Sequence, residues 1–236
     1  MWAVTLLGTD SWCRWQPRLR AIARNEMSFA FAGTKCLCPW STFELVGQWL
    51  AAAPPGLVFL GSSSFHHFTY HLVRRHASCA LFVLVCDRHG DCLAAPEGFI
   101  SCGSWVAEVA ALPGVVAIGL VGPQEGEIGA LPAKVRLIHP GEELGELERL
   151  ARECRRAYIS IDKDVLLGAH TDWGSGELEL ATILAMAQQL RAHCEVVGAD
   201  VCGEEVPRGP WPTWEELEHI RRNEDINLSL WRALSR

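Results

Sequence analysis

The sequence predicts an α/β fold built on a mostly parallel sheet, and three observations carry that expectation. Apolar runs of strand length alternate with longer segments of helical periodicity from residue 56 onward. Two of those runs, Ala80-Leu81-Phe82-Val83-Leu84-Val85-Cys86 and Ala157-Tyr158-Ile159, have the unbroken aliphatic and aromatic content of strands covered on both faces. Each leads into a short acidic cluster, Asp87-Arg88-His89-Gly90-Asp91 or Ser160-Ile161-Asp162-Lys163-Asp164, placed where open α/β sheets bind their ligands.

The elements follow in chain order. Residues 1–55 carry five of the ten tryptophans, Trp2, Trp12, Trp15, Trp40 and Trp49. Packing of a first strand and helix is the expected role; covering a pocket and joining copies of the chain in a homo-oligomer are the other roles open to them. Residues 56–60 read as a strand that breaks at Gly61 into a serine-rich turn. A helix over 65–76 follows, with His66 at its start and His71 and His76 on its surface. Strands are expected at 80–86, 115–121, 134–138, 157–159 and 196–199, the last running into Asp200. Helices are expected at 105–112, at 142–156 with Leu144, Leu147 and Leu150, and at 178–193. Residues 208–212 form a Pro-rich turn. The final helix over 213–235 has Thr213 as N-cap and Glu215 and Glu216 near its positive end, with Asn223, Asp225 and Asn227 as expected interruptions. Right-handed crossovers would bring the functional strand ends to one edge of the sheet.

Composition narrows the function. The 236 residues, 49% hydrophobic and 21% charged, suffice for a large core, and one domain over 1–236 is expected. A net charge of -7 argues against nucleic acid as a partner and mildly favours a cationic small molecule. No apolar stretch approaches the roughly 18 residues needed to cross a bilayer, so no membrane partner is expected. The first residues lack a basic start and a long apolar core, so the ten cysteines are expected as reduced thiols in a cytoplasm. Cys36-Leu37-Cys38 has no second C-x-x-C, which removes a zinc ribbon. Most cysteines, Cys79, Cys86 and Cys194 among them, read as small buried hydrophobes.

A single D-x-H-x-D reads equally as a polar turn after a strand or as part of a metal site. The second cluster changes that reading, because alternate spacing sends Asp87, His89 and Asp91 to one side and Asp162 and Asp164 to one side. Two strand ends thereby offer five hard oxygen or nitrogen ligands to one pocket. Lys163 should point to the opposite face. A sixth ligand is expected from Ser62-Ser63-Ser64-Phe65-His66-His67-Phe68-Thr69, where His66 is the choice and His67, rotated by about 100° on a helix, the weaker one.

These blocks resemble those of the arginase and agmatinase ureohydrolases, which carry a histidine block, D-x-H-x-D and S-x-D-x-D in that order. With residues 100–105 (Ile-Ser-Cys-Gly-Ser-Trp), 172–176 (Asp-Trp-Gly-Ser-Gly) and 200–204 (Asp-Val-Cys-Gly-Glu), they are similar to a little-characterised bacterial branch of that family, over about residues 57 to 205. The resemblance implies a three-layer arginase-like fold and two divalent ions, Mn(II) first, with Zn(II) or Fe(II) also compatible with the donor set. It implies Asp87 and Asp162 as bridging ligands, His66 and Asp91 on one ion, and His89 and Asp164 on the other. Such a pair makes a nucleophile of water, and the implied reaction is hydrolysis of a C–N bond in a small linear amidine or guanidino compound.

The departures from the family pattern set the alternatives. The proton-carrying histidine of a G-N-x-H-G block is replaced here by residues 98–103, which hold none. Cys102, His170 or solvent would have to take that role. The guanidinium-gripping glutamate of an E-x-N-P block corresponds best to Glu204. Asp91, Cys102 and Glu204 are therefore the expected catalytic residues, with a nucleophilic Cys102 weighed against a buried, inert thiol. A deacetylase-like amide hydrolase acting on an acylated amine, and a metal-binding protein without turnover, are the competing functions.

Overall fold

Burial alternates along Leu81–Cys86: Phe82, Leu84 and Cys86 enter one hydrophobic cluster, and Leu81, Val83 and Val85 enter the other. A strand covered on both sides has no polar face, which is why its sequence reads as an unbroken apolar run. The computed structural model describes residues 2–123, 131–139 and 141–235.

In chain order these residues form β1 (Ala3–Leu7), α1 (Pro17–Ile22), β2 (Asn25–Met27), β3 (Leu37–Pro39), α2 (Trp40–Leu50), β4 (Gly56–Gly61) and α3 (Thr69–Arg74). There follow β5 (Leu81–Cys86), β6 (Phe99–Ser101), α4 (Trp105–Ala111), β7 (Val115–Val121), β8 (Val135–Leu137), α5 (Glu143–Cys154) and β9 (Arg156–Asp162). The last elements are α6 (Leu180–His193), β10 (Glu195–Cys202) and α7 (Trp214–Leu234).

Eight strands make one parallel sheet in the order β2-β1-β4-β10-β9-β5-β7-β8. The α/β class with a parallel sheet holds. One cluster takes Leu147, Leu150, Ile183, Leu190 and Leu230 from α5, α6 and α7; the other takes Phe43, Val46, Leu72, Trp105 and Val109 from α2, α3 and α4. The result is three layers, helices on both faces of a sheet. β4 and β5, neighbours in sequence, are separated in the sheet by β10 and β9, and that crossover opens a crevice at the carboxyl ends of the four central strands.

The structure departs from sequence expectation in five places. Cys79, expected as a buried hydrophobe, is exposed. The helix expected from residue 65 begins instead as a 3-10 turn, Ser63–Phe68, capped by Ser62 Oγ, which accepts from Ser64 N at 3.1 Å. His71 is not on the surface: it is 8% exposed, and its ring lies 4.1 Å from that of Phe43 with Nε2 2.9 Å from the Phe43 carbonyl. The antiparallel ribbon of β3 and β6 has three residues a side, too few for a readable period. Helix α7 runs through Asn223, Asp225 and Asn227 without a break. Asn223 holds the His170 backbone at both N–H and carbonyl, and Asn227 donates to Gln16 and Glu204, so neither side chain competes with its own helix backbone. Of the five early tryptophans, Trp2, Trp12, Trp40 and Trp49 pack onto the core clusters, and Trp15 lies edge-on to Trp211. Among the described residues no helix is long and apolar enough to cross a membrane.

Candidate metal centre

The six side chains singled out in the sequence meet at the carboxyl ends of β4, β5 and β9. Asp87 leaves β5 directly, and its N–H bonds the Val121 carbonyl at 3.0 Å. Asp91 sits at φ 47°, a left-handed conformation that turns the loop back, and Trp105 Nε1 donates to its Oδ2 at 2.6 Å. Asp162 ends β9, and its Oδ1 accepts from Asp164 N at 3.0 Å, winding residues 163–165 into one 3-10 turn. Ser63 Oγ donates to the same Oδ1 at 2.9 Å. Gly203 makes room: a Cβ there would lie 2.7 Å from Asp162 Oδ1 and 2.8 Å from Lys163 N.

The donor atoms converge on each other rather than pairing off. His66 Nδ1 is 3.0 Å from Asp87 Oδ2, 3.4 Å from Asp91 Oδ2 and 3.6 Å from Asp162 Oδ2, yet it makes no hydrogen bond. His89 Nδ1 lies 2.9 Å from Asp164 Oδ2, an oxygen that also lacks a hydrogen bond, and 3.4 Å from Asp87 Oδ1. Cis ligands at about 2.1 Å from a six-coordinate ion stand about 3 Å apart, so these spacings match the edges of a coordination shell. Two sets of donors, His66 with Asp87 and Asp91, and Asp87 with His89 and Asp164, each lie within 4.8 Å and share Asp87. A third set joins His66 and Asp162 to Cys202, whose Sγ is 3.2 Å from Asp162 Oδ2.

The surrounding hydrogen bonds fix the imidazole. Asp200 is fully buried and accepts from Ser160 Oγ at 2.8 Å, Thr69 Oγ1 at 3.0 Å and Tyr158 OH at 2.9 Å. Burial raises the Asp200 carboxyl, and these three donors oppose that rise. With its proton given to Asp200, Ser160 Oγ can only accept from His66 Nε2, 2.9 Å away. The lone pair of His66 is thereby left on Nδ1, facing the carboxylates.

Such an arrangement is electrostatically unsettled without positive charge. Burial, then the neighbouring carboxylates, pushes Asp91 up to about 7, Asp162 to about 8 and Asp164 to about 6. Burial also works against ionisation of Asp87, but the contacts with His66 and His89 hold it below the ordinary carboxylate range. The close approach of Asp164, then Asp87, raises His89 to about 11. Burial alone would lower His66, whereas Cys202, Asp87 and Asp91 raise it well above the usual imidazole value. Protons thus stand in for cations, and the four carboxylates, the two imidazoles and their unbonded atoms fit a divalent metal pair.

A cavity of about 470 Å³ opens over the cluster, lined by His66, Asp87, His89, Asp91 and Asp162 on its floor and by Leu37, Leu93 and Trp173 among its walls. Cys102 lines it too. Burial, then Asp91, pushes its thiol up to about 12, which opposes the thiolate that the nucleophilic alternative for Cys102 would need. Glu204 requires correction: it is 2% exposed, ion-paired with the fully buried Lys163, and accepts from Gln16 Nε2 at 2.7 Å and Asn227 Nδ2 at 2.6 Å. It does not line the cavity, so it is not placed to grip a substrate. Lys163 does point away from the metal-side cluster, as its position between two aspartates implies. His170 stacks on His219 at 3.6 Å and is not a cavity residue. His67 turns away, with its ring 4.9 Å from Phe68. The residues the sequence reading passed over are Ser63, Trp105, Ser160 and Asp200, which orient the cluster, and Cys202, Arg88 and Trp173 beside it. Each lies in one of the blocks that carry the resemblance, but nothing in the sequence marks which side chain it meets.

No family model matches the chain. It is 33% identical over 181 residues to an uncharacterised protein of Thermotoga maritima, a match covering 76% of this chain and 68% of that protein. Its fold is similar to that of a hypothetical agmatinase from Burkholderia thailandensis, with a TM-score of 0.64 and 20% identity over 98% of this chain and 85% of that one. It is also similar to formimidoylglutamase from Bacillus subtilis, with a TM-score of 0.67 and 12% identity over 98% and 86% of the two chains.

Proposed function

We propose, for a chain that belongs to one family with the uncharacterised Thermotoga maritima protein and has the arginase–agmatinase fold, that it is a hydrolase of a carbon–nitrogen bond other than a peptide bond. Its substrate on this reading is a small linear amidine or guanidino compound, and its cofactor a pair of divalent ions, Mn(II) first. The observation that carries the reading is the pair of donor sets sharing Asp87, with His66 Nδ1 and Asp164 Oδ2 buried and unbonded.

His66, Asp87 and Asp91 would hold one ion and Asp87, His89 and Asp164 the other, with Asp162 beside His66 as a further ligand. When bound, two such ions supply the positive charge that polarises the scissile carbon and makes water acidic enough to attack near neutral pH. The chain's own residues do the positioning. Ser160 and Asp200 keep the His66 proton on Nε2, Trp105 Nε1 steers Asp91 through its Oδ2, and Ser63 and Asp164 N engage Asp162 Oδ1. Leu37, Leu93 and Trp173 wall the cavity with apolar surface that reduces competing water. The cysteines, none of them paired, suit a reducing cytoplasm.

A second reading, hydrolysis of a neutral amide on an acylated amine, is favoured by one observation: Glu204 is engaged by Lys163 and unavailable to a guanidinium. Elemental analysis of Mn(II)-loaded protein should give two ions per chain, and Asp87→Asn should retain fewer than one. Urea or ammonia should appear from some member of an amidine and guanidino panel. Amine release from acylated amines alone would select the second reading, and a loaded protein inert on both panels would remove the enzymatic assignment.

A further inference from the structure

The carboxylates that line the cavity, Asp87, Asp91 and Asp162, all belong to the metal-side cluster, and no other aspartate or glutamate among the described residues lines it. With Asp164 they carry four negative charges, which two divalent ions cancel. What remains is a cation. Among the described residues Arg88 is the single lysine or arginine of the lining, and no carboxylate among them pairs with its side chain. Its Nη1 has only a long bond, 3.4 Å, to the Ser175 carbonyl, while its backbone N–H is the atom committed to the cluster, donating to Asp164 Oδ1 at 3.2 Å.

The neighbours of Arg88 suit a chain rather than a second charge. Trp173, 42% exposed, stands edge-on to His89 at 5.7 Å, with Nε1 anchored on Ser64 Oγ at 3.3 Å. Leu37 and Leu93, 38% and 61% exposed, are further apolar wall residues. An ammonium tail in this cavity would meet an uncompensated guanidinium and no free carboxylate. A carboxylate tail would find in the guanidinium a planar fork matched to its two oxygens.

We propose that Arg88 is the specificity-determining residue of the site and takes the carboxylate tail of the substrate, whose methylenes lie against Trp173 and the two leucines. The substrate is then an ω-amidino or ω-guanidino carboxylate rather than a guanidino amine. This rests on the hydrolase reading for the reacting end but not for the binding preference, so the two separate by experiment.

Calorimetric binding to the Mn(II)-loaded protein would compare 4-guanidinobutyrate with agmatine, which share a head group and differ in the sign of the tail. The carboxylate is expected to bind at least tenfold tighter. Arg88→Gln, which keeps the backbone N–H, should remove most of that preference with metal content unchanged. Equal or tighter binding of agmatine, binding of neither compound, or an undiminished preference in Arg88→Gln would overturn the assignment. Urea release is read in parallel: release from agmatine alone keeps the hydrolase and removes the Arg88 subsite. Carboxylate-selective binding without release keeps the subsite and removes guanidino hydrolysis.

Discussion

At the scale of single residues, the site depends on where one proton sits. His66 Nδ1 can face three carboxylate oxygens as a ligand only because Ser160 Oγ, committed to Asp200, accepts from Nε2. Ser160→Ala removes that acceptor and leaves Asp200 with two donors. Outer hydrogen bonds of this kind are worth about 10- to 100-fold in metal affinity, so competition with a fluorescent chelator should show a loss of that order with the fold intact by circular dichroism. An unchanged affinity would mean that packing alone, including Trp105 at 4.6 Å from the His66 ring, holds the imidazole. The ligand types were legible in sequence because hard donors at a strand end are conspicuous. Their orienting partners were not, since a serine or an aspartate inside an apolar strand carries no mark of which side chain it will meet.

At the scale of elements, the buried pair of Lys163 and Glu204 ties the turn after β9 to the segment after β10, and Gln16 and Asn227 of α7 close the same network. Burial lowers the Lys163 ammonium and Glu204 supports its charge. Lys163→Met would leave Glu204 buried without its counter-charge and should lower unfolding stability in urea by about 3–5 kcal/mol. Adding Glu204→Gln should restore part of the loss, because the amide drops the buried charge while its single oxygen can still accept at one of the two positions the carboxylate oxygens occupy. A single-variant cost below about 1 kcal/mol would show that water reaches this pair. The network also explains the unbroken α7: Asn223 and Asn227, read from sequence as helix interruptions, have tertiary partners that only the folded chain supplies. A resemblance-based role for Glu204 fails for the same reason, as the partner that engages it is a lysine 41 positions away.

For the molecule as a whole, the clustered carboxylates set the response to pH. In the metal-free protein Asp91, Asp162 and Asp164 are raised to about 7, 8 and 6, so between pH 4 and 8 the folded state holds protons that the unfolded state has released. Stability then falls as pH rises through that interval. His89, raised to about 11, adds in the same direction above its unfolded value near 6.5. Thermal melts of metal-free protein should therefore give a lower Tm at pH 8 than at pH 5. Mn(II), which needs the deprotonated ligands, should stabilise more at pH 8 and release protons on binding at pH 7, seen as a buffer-dependent calorimetric heat. A Tm that rises from pH 5 to 8 without metal would contradict the cluster's electrostatics. By itself the sequence determined the α/β class, the parallel sheet and the strand ends carrying the acidic blocks, because burial on both faces and the apolar period are local properties of the chain. Only the tertiary structure decided that Asp87 is common to two donor sets, that Glu204 belongs to Lys163, and that Arg88 lines the cavity with no carboxylate partner among the described residues. Those are matters of which distant residues meet, and chain crossing, not local pattern, sets that.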